Sequence, residues 1–136
     1  MPHAVIEVDL DLRTFAEGFR PIAIRAGSDV LRADQVFLEL GGRALLIESL
    51  VVESARRQPF YIKVSRHERG TVTVRVDPLT HPDRSEGVRR LVAGVAEQIL
   101  CAEAGASVVR TNLVIPSGGQ GGRGEPGTHG AEECEE

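Results

Sequence analysis

Hydrophobic and polar positions alternate most regularly between residues 30 and 77, and the rest of the chain is organised around this stretch. In 60–66, Phe60, Ile62 and Val64 share one face and Tyr61, Lys63 and Ser65 the other, with Arg66 following the inward set as the strand leaves the core. In 71–77, Val72, Val74 and Val76 alternate with Thr71, Thr73, Arg75 and Asp77. A period of two is the pattern of a half-buried β-strand. The run 44–53 is rich in Leu and β-branched residues and holds neither Gly nor Pro, so it predicts a further strand. The preceding run, 30–40, meets it across Gly41-Gly42, a two-residue turn that tolerates positive φ at both central positions. Turn signals at 55–59, ending in Pro59, and at Glu68-Arg69-Gly70 separate the remaining strands. The four runs predict an antiparallel meander with one face packed and one wet.

The strand at 44–53 departs from that division. Leu45, Ile47 and Val51 lie on one of its faces, and Leu46, Leu50 and Val52 on the other. A strand apolar on both sides is either covered twice within one fold or lends its second face to another subunit.

Before the meander, Ala4, Ile6, Val8 and Leu10 alternate with Val5, Glu7 and Asp9 and predict a strand. Leu12, Phe15, Ala16 and Phe19 then follow helical spacing, with Asp9 or Asp11 able to cap the start and Gly18 and Pro21 limiting the length. Residues 22–29 suit either a further helical turn or a short extended piece. After the meander, a loop held by Pro78 and Pro82 leads to a second helix with the apolar stripe Val88, Leu91, Val92, Val95 and Ile99. Asp83 with Glu86 three residues on predicts a capping box at its start, and Gly105 is placed to end it as a C′ residue. Gly94 inside this helix costs up to about 1 kcal/mol against Ala, which a close crossing over the sheet would explain. Residues 106–115 predict a last strand, stopped by Pro116. From Ser117 onward seven of twenty residues are Gly and no apolar periodicity remains, so 117–136 is expected to be a disordered tail following one domain over 1–116. The expected fold is α+β, a mainly antiparallel sheet in the order β-α-β-β-β-β-α-β with two helices packed on one face.

Composition narrows the function classes. Of the net charge of −4, all resides in the tail, which holds five acidic residues and one Arg, so the body is neutral. A neutral body and only five aromatic residues argue against a nucleic-acid partner, whether by phosphate tracking or by base stacking. No apolar run approaches the roughly 20 residues that span a bilayer. The acidic residues Glu7, Asp9 and Asp11 break up any signal-like start, and Cys101 and Cys134 have no paired spacing, so a cytoplasmic setting is expected with no membrane partner.

Candidate chemistry is sparse. Asp77, His81 and Asp83, with His67 nearby, form the richest polar cluster, but no two His stand at i, i+4 on a helix, and no metal site or other cofactor is expected. Ser49 lacks the Gly-x-Ser-x-Gly surroundings of a nucleophile elbow, Cys101 falls on a packed helix, and His129 and Cys134 fall in the tail. No glycine-rich loop joins a strand to a helix. Arg56, Arg57, Lys63, Arg66 and Arg69 gather on one predicted hairpin, where they either bind an anion or acidic partner or serve as a solvated strand edge.

The start of the chain carries one resemblance. Met1-Pro2-His3 followed by the alternating run Ala4-Val5-Ile6-Glu7-Val8 resembles the tautomerase superfamily, especially its 5-carboxymethyl-2-hydroxymuconate isomerase branch. The strand, Ser85-Glu86-led helix and strand over 71–115 are similar to that family's βαβ unit. The resemblance implies that Pro2, freed by removal of Met1, acts as a general base on a small enol or 2-oxo acid. That chemistry needs an amine kept neutral by a dry cationic pocket, with arginines clamping the substrate carboxylates. The four-strand meander departs from the family's β-α-β repeat. The residues themselves favour a non-enzymatic binding or assembly protein, a homodimer formed through the face of Leu46, Leu50 and Val52 or that of Leu45, Ile47 and Val51, with another protein as a further possible partner.

Overall fold

The computed structural model describes residues 1–68 and 70–115. Nine elements follow in the order β1 (His3–Glu7), α1 (Leu12–Gly18), β2 (Ile22–Ala26), β3 (Asp29–Leu38), β4 (Ala44–Glu53), β5 (Arg56–His67), β6 (Thr71–Val76), α2 (Glu86–Ala102) and β7 (Ser107–Thr111). All seven strands join one antiparallel sheet in the spatial order β2-β3-β4-β5-β6-β1-β7. The α+β class and the central meander are as expected, with one strand more than the pattern predicted. That strand is β2, the segment whose conformation was open. Ile22 and Ile24 point toward the core while Ala23 and Arg25 face away, and Gly27 at φ +63° turns the chain into β3.

Both helices pack on one face of the sheet. Ala4, Ile6, Leu45, Ile47, Val51, Phe60, Ile62, Val64, Val72, Val74 and Val76 supply that face, and Leu12, Phe15, Val88, Leu91, Val92, Val95 and Ile99 cover it. Each such side chain contributes about 1.5–3 kcal/mol on burial, and α2 alone supplies Val88, Leu91, Val92, Val95 and Ile99. The sheet curls around α2. Ile22 and Ile24 of the first edge strand and Asn112, Leu113 and Val114 beyond the last one line a single cavity of about 410 Å³ beside that helix. Gly94 faces this closure, since a Cβ there would stand 3.0 Å from Ile22 Cδ1. This is the close crossing its presence in the helix implied.

Several local expectations are corrected. Gly41-Gly42 is not a two-residue turn: Glu39 N–H bonds Ala44 C=O, leaving a four-residue loop in which Gly42 N–H returns to Glu39 C=O and Gly42 takes φ +78°. The β4–β5 turn is Ser54-Ala55, not 55–59, with Glu53 opposite Arg56 and φ of 53° and 67° at the two loop residues. Pro59 therefore sits inside β5, opposite Leu50 of β4. It is tolerated because β6 pairs with β5 only from Ile62 onward, so no ladder bond is required of residue 59 on that side.

Asp83 is not the cap of α2. Ser85 holds that position, its Oγ accepting from Val88 N–H, while Asp83 N–H donates to Gln58 Oε1 and its carboxylate pairs with Arg56. The α2 start is also held from the sheet, because Gly87 N–H donates to Glu53 Oε2 at 2.8 Å. Gly105 does not end the helix in a left-handed conformation; α2 stops at Ala102 with Glu103 extended as C-cap. For α1 the cap is Asp11, whose carboxylate accepts from Arg13 N–H and Thr14 Oγ1. The first and last strands are shorter than the alternation implied, although Val8, Leu10, Leu113 and Ile115 beyond their ends are buried. The expected tail, 117–136, lies outside the described residues.

Candidate binding surface on the outer sheet face

The face of the sheet away from the helices is assembled from the outward set of each strand. Cross-strand register sorts it into rows: Val30, Val52 and Arg57; Arg32, Leu50 and Pro59; Gln35, Glu48 and Tyr61; Phe37, Leu46, Lys63, Arg75 and His3. A fifth row runs Ser65, Thr73, Val5 and Arg110. The β-bulge of β3 between Ala33 and Gln35 keeps Val36 and Leu38 inward after Asp34.

This register resolves which side of β4 belongs to the core. Leu45, Ile47 and Val51 are at most 1% exposed under the helices, and Leu46, Leu50 and Val52 are half-buried on the outer face. With Val30 and Phe37 beside them, the latter 49% exposed, they make the β3–β4 half of that face apolar. Ser49, on the covered side, donates its hydroxyl to Ile47 C=O and is structural.

The other half, on β5, β6, β1 and β7, is polar and cationic. Between β1, β6 and the loop after β6 lies a groove of about 730 Å³ whose walls include His3, His67, His81, Arg75 and Arg110, together with Thr71 and Thr73, and, among the described residues, no carboxylate. His67 Nε2 is bonded to Thr73 Oγ1 at 2.9 Å, and His3 Nδ1 faces Met1 C=O at 3.0 Å. Asn112 holds the rim of the groove: its Oδ1 accepts from His3 N–H and its Nδ2 donates to Met1 C=O. Lys63 stands directly across from Arg75, and Arg75 directly across from His3. Such pairs bring Cβ atoms to about 5 Å, and like charges so placed repel.

The expected site residues are dispersed. His67 and His81 both line the groove, but towards opposite ends, His67 level with Thr71 and His81 next to Thr80, whose hydroxyl accepts from Tyr61 N–H. Asp83 is engaged by Arg56, and Asp77 is buried beside Tyr61, whose C=O accepts its N–H. Among the described residues no three of His, Cys, Asp and Glu come together as a metal site. Arg56 and Arg57 begin β5 and Arg66 nearly ends it, which at about 3.3 Å per residue separates them by about 30 Å. Hence one small anion cannot touch both ends of this group, and Arg69 lies outside the described residues. The Pro2 ring is buried and is absent from the walls of the groove beside it. The β6-α2-β7 unit is a split one: β6 and β7 both pair antiparallel with β1, which lies between them. Among the described residues no helix is long and apolar enough to cross a membrane.

Arg75, Arg110 and His3 were not singled out from the pattern, although all three occupy outward positions of strands. The available signal was the outward set of β6 and the C-terminal strand, which carries Thr71, Thr73, Arg75 and Arg110; Asp77, which the alternation also put there, follows the strand and is buried. No protein-family model, curated protein or solved structure matches the chain.

Proposed function

We propose that this is a small non-enzymatic binding protein that assembles as a homodimer through the β3–β4 half of its outer sheet face. The observation that carries this reading is the apolar outer side of β4, Leu46, Leu50 and Val52, lying opposite the face that both helices cover. The occupant we assign is a second copy of the chain. Glu48 at the centre of the patch and Arg32, Arg57 and Lys63 around it put both signs of charge on one surface, as a self-complementary two-fold interface requires. Apolar sheet faces associate by stacking at about 10 Å. The setting we propose is the cytoplasm, on the sequence reading alone.

Light scattering over a dilution series tests the assignment. The wild type is expected to be a dimer, and Leu46→Arg or Leu50→Asp a folded monomer with an unchanged far-ultraviolet dichroism spectrum, because neither side chain belongs to the covered core. A monomeric wild type at high concentration would sink it.

The alternative is an isomerase using the Pro2 amine. Burial of the Pro2 ring weighs on the non-enzymatic side. Proton exchange on enol and 2-oxo acids, compared between wild type and Pro2→Ala, decides: turnover that requires Pro2 would establish the enzyme.

A further inference from the structure

We infer that the groove between β1 and β6 is a binding site for a phosphate monoester, held by Arg75 and Arg110. This deepens the binding-protein reading and is independent of self-association.

Three observations point to it. First, Lys63 and Arg75 are placed side by side in the sheet with His3 next in the row. Like charges directly opposite destabilise a sheet, and that arrangement is maintained with no acidic group among the described residues that line the groove. Secondly, the ion pairs formed among the described residues are Arg32–Asp34 and Arg56–Asp83, so neither Lys63, Arg75 nor Arg110 is neutralised by a carboxylate there. Thirdly, this concentration of positive charge is local, on a body whose net charge is zero outside the acidic tail.

The chemistry of the donors selects the ligand. Two guanidinium groups, with the hydroxyls of Thr71 and Thr73 on the same walls and the Lys63 ammonium across the ladder from Arg75 adding to the local positive charge, suit a dianion with three terminal oxygens. A single carboxylate offers two oxygens and one charge, and would leave at least one cation unmatched. Val5, Met1 and Pro78 add an apolar wall for the organic part of the ester. The volume, about 730 Å³, is that of a small-molecule site.

Isothermal titration of the full chain with phenyl phosphate at low ionic strength tests the inference, with inorganic phosphate, citrate and a short single-stranded oligonucleotide as further arms. Phenyl phosphate is expected to bind, with Arg75→Gln and Arg110→Gln each weakening it about tenfold. Arg25→Gln, on the edge strand β2 and outside the groove, should leave the affinity unchanged. Thermal midpoints of the variants, at or above that of the wild type, show that they remain folded. Absence of phenyl phosphate binding, equal loss from Arg25→Gln, or tighter binding of citrate or of the oligonucleotide would overturn it. Light scattering reads dimerisation separately, so failure of one proposal does not entail failure of the other.

Discussion

The side-chain amide of Gln98, on α2, makes both possible hydrogen bonds with the main chain of Arg20: Arg20 N–H donates to Gln98 Oε1 at 3.0 Å, and Gln98 Nε2 donates to Arg20 C=O at 2.8 Å. The pair imitates a β-bridge between a helix side chain and the segment that enters β2. It compensates for Pro21, which has no N–H to offer at the start of the edge strand.

Gln98→Ala is expected to lower stability by about 1–2 kcal/mol, the net worth of two hydrogen bonds. The protein should remain folded. Hydrogen exchange at the Arg20 amide and along β2 should accelerate, with β4 and β5 unaffected. Equal protection of β2 in the variant would show that the edge strand is held by Ile22 and Ile24 alone.

Two glycines of α2 should respond oppositely to alanine. A Cβ at Gly87 would stand 2.7 Å from both Glu53 Oε2 and Leu31 Cδ2 and 3.0 Å from Val51 Cγ1, so Gly87→Ala displaces the helix start from the sheet and breaks the Glu53 bond. A loss of about 2–3 kcal/mol is expected by chemical denaturation. At Gly94 the sole neighbour is the free end of a half-buried Ile22, and helix propensity favours alanine. Gly94→Ala should raise stability by about 0.5 kcal/mol, and more in an Ile22→Val background.

The Ser54-Ala55 turn holds two L-residues at positive φ. Two-residue hairpin loops of this geometry favour Asn-Gly, because Gly occupies the left-handed region without a Cβ clash. The double variant Ser54→Asn, Ala55→Gly is expected to gain about 1 kcal/mol and several degrees in thermal midpoint. A fall in midpoint would mean that the bond from Ser54 N–H to Asp29 Oδ1 depends on the native loop.

How far residues announced these features depended on whether the governing contacts were local. The period-two runs of β5 and β6 and the stripe of α2 were legible because alternation and helical spacing report directly on which side is buried. The two-sided apolar character of β4 was legible too, but not which side the helices take, since that is decided by α1 and α2 from elsewhere in the chain. The cap of α2 was misplaced because Asp83 and Ser85 are both good caps in isolation, and only the long-range engagement of Asp83 by Arg56 and Gln58 leaves the position to Ser85. The cationic row escaped notice for the same reason: Lys63, Arg75 and His3 are far apart in sequence and become neighbours through the β5–β6 and β6–β1 ladders.

The curl that brings Ile22 and Leu113 to one cavity also limits how copies of the chain can grow together. With both rims of the sheet leaning toward α2, an incoming strand has poor access to either, and runaway edge-to-edge stacking into fibrils is discouraged. What remains open is one broad outer surface, and if the proposed association uses it, growth would stop at two copies, since each molecule offers that surface once.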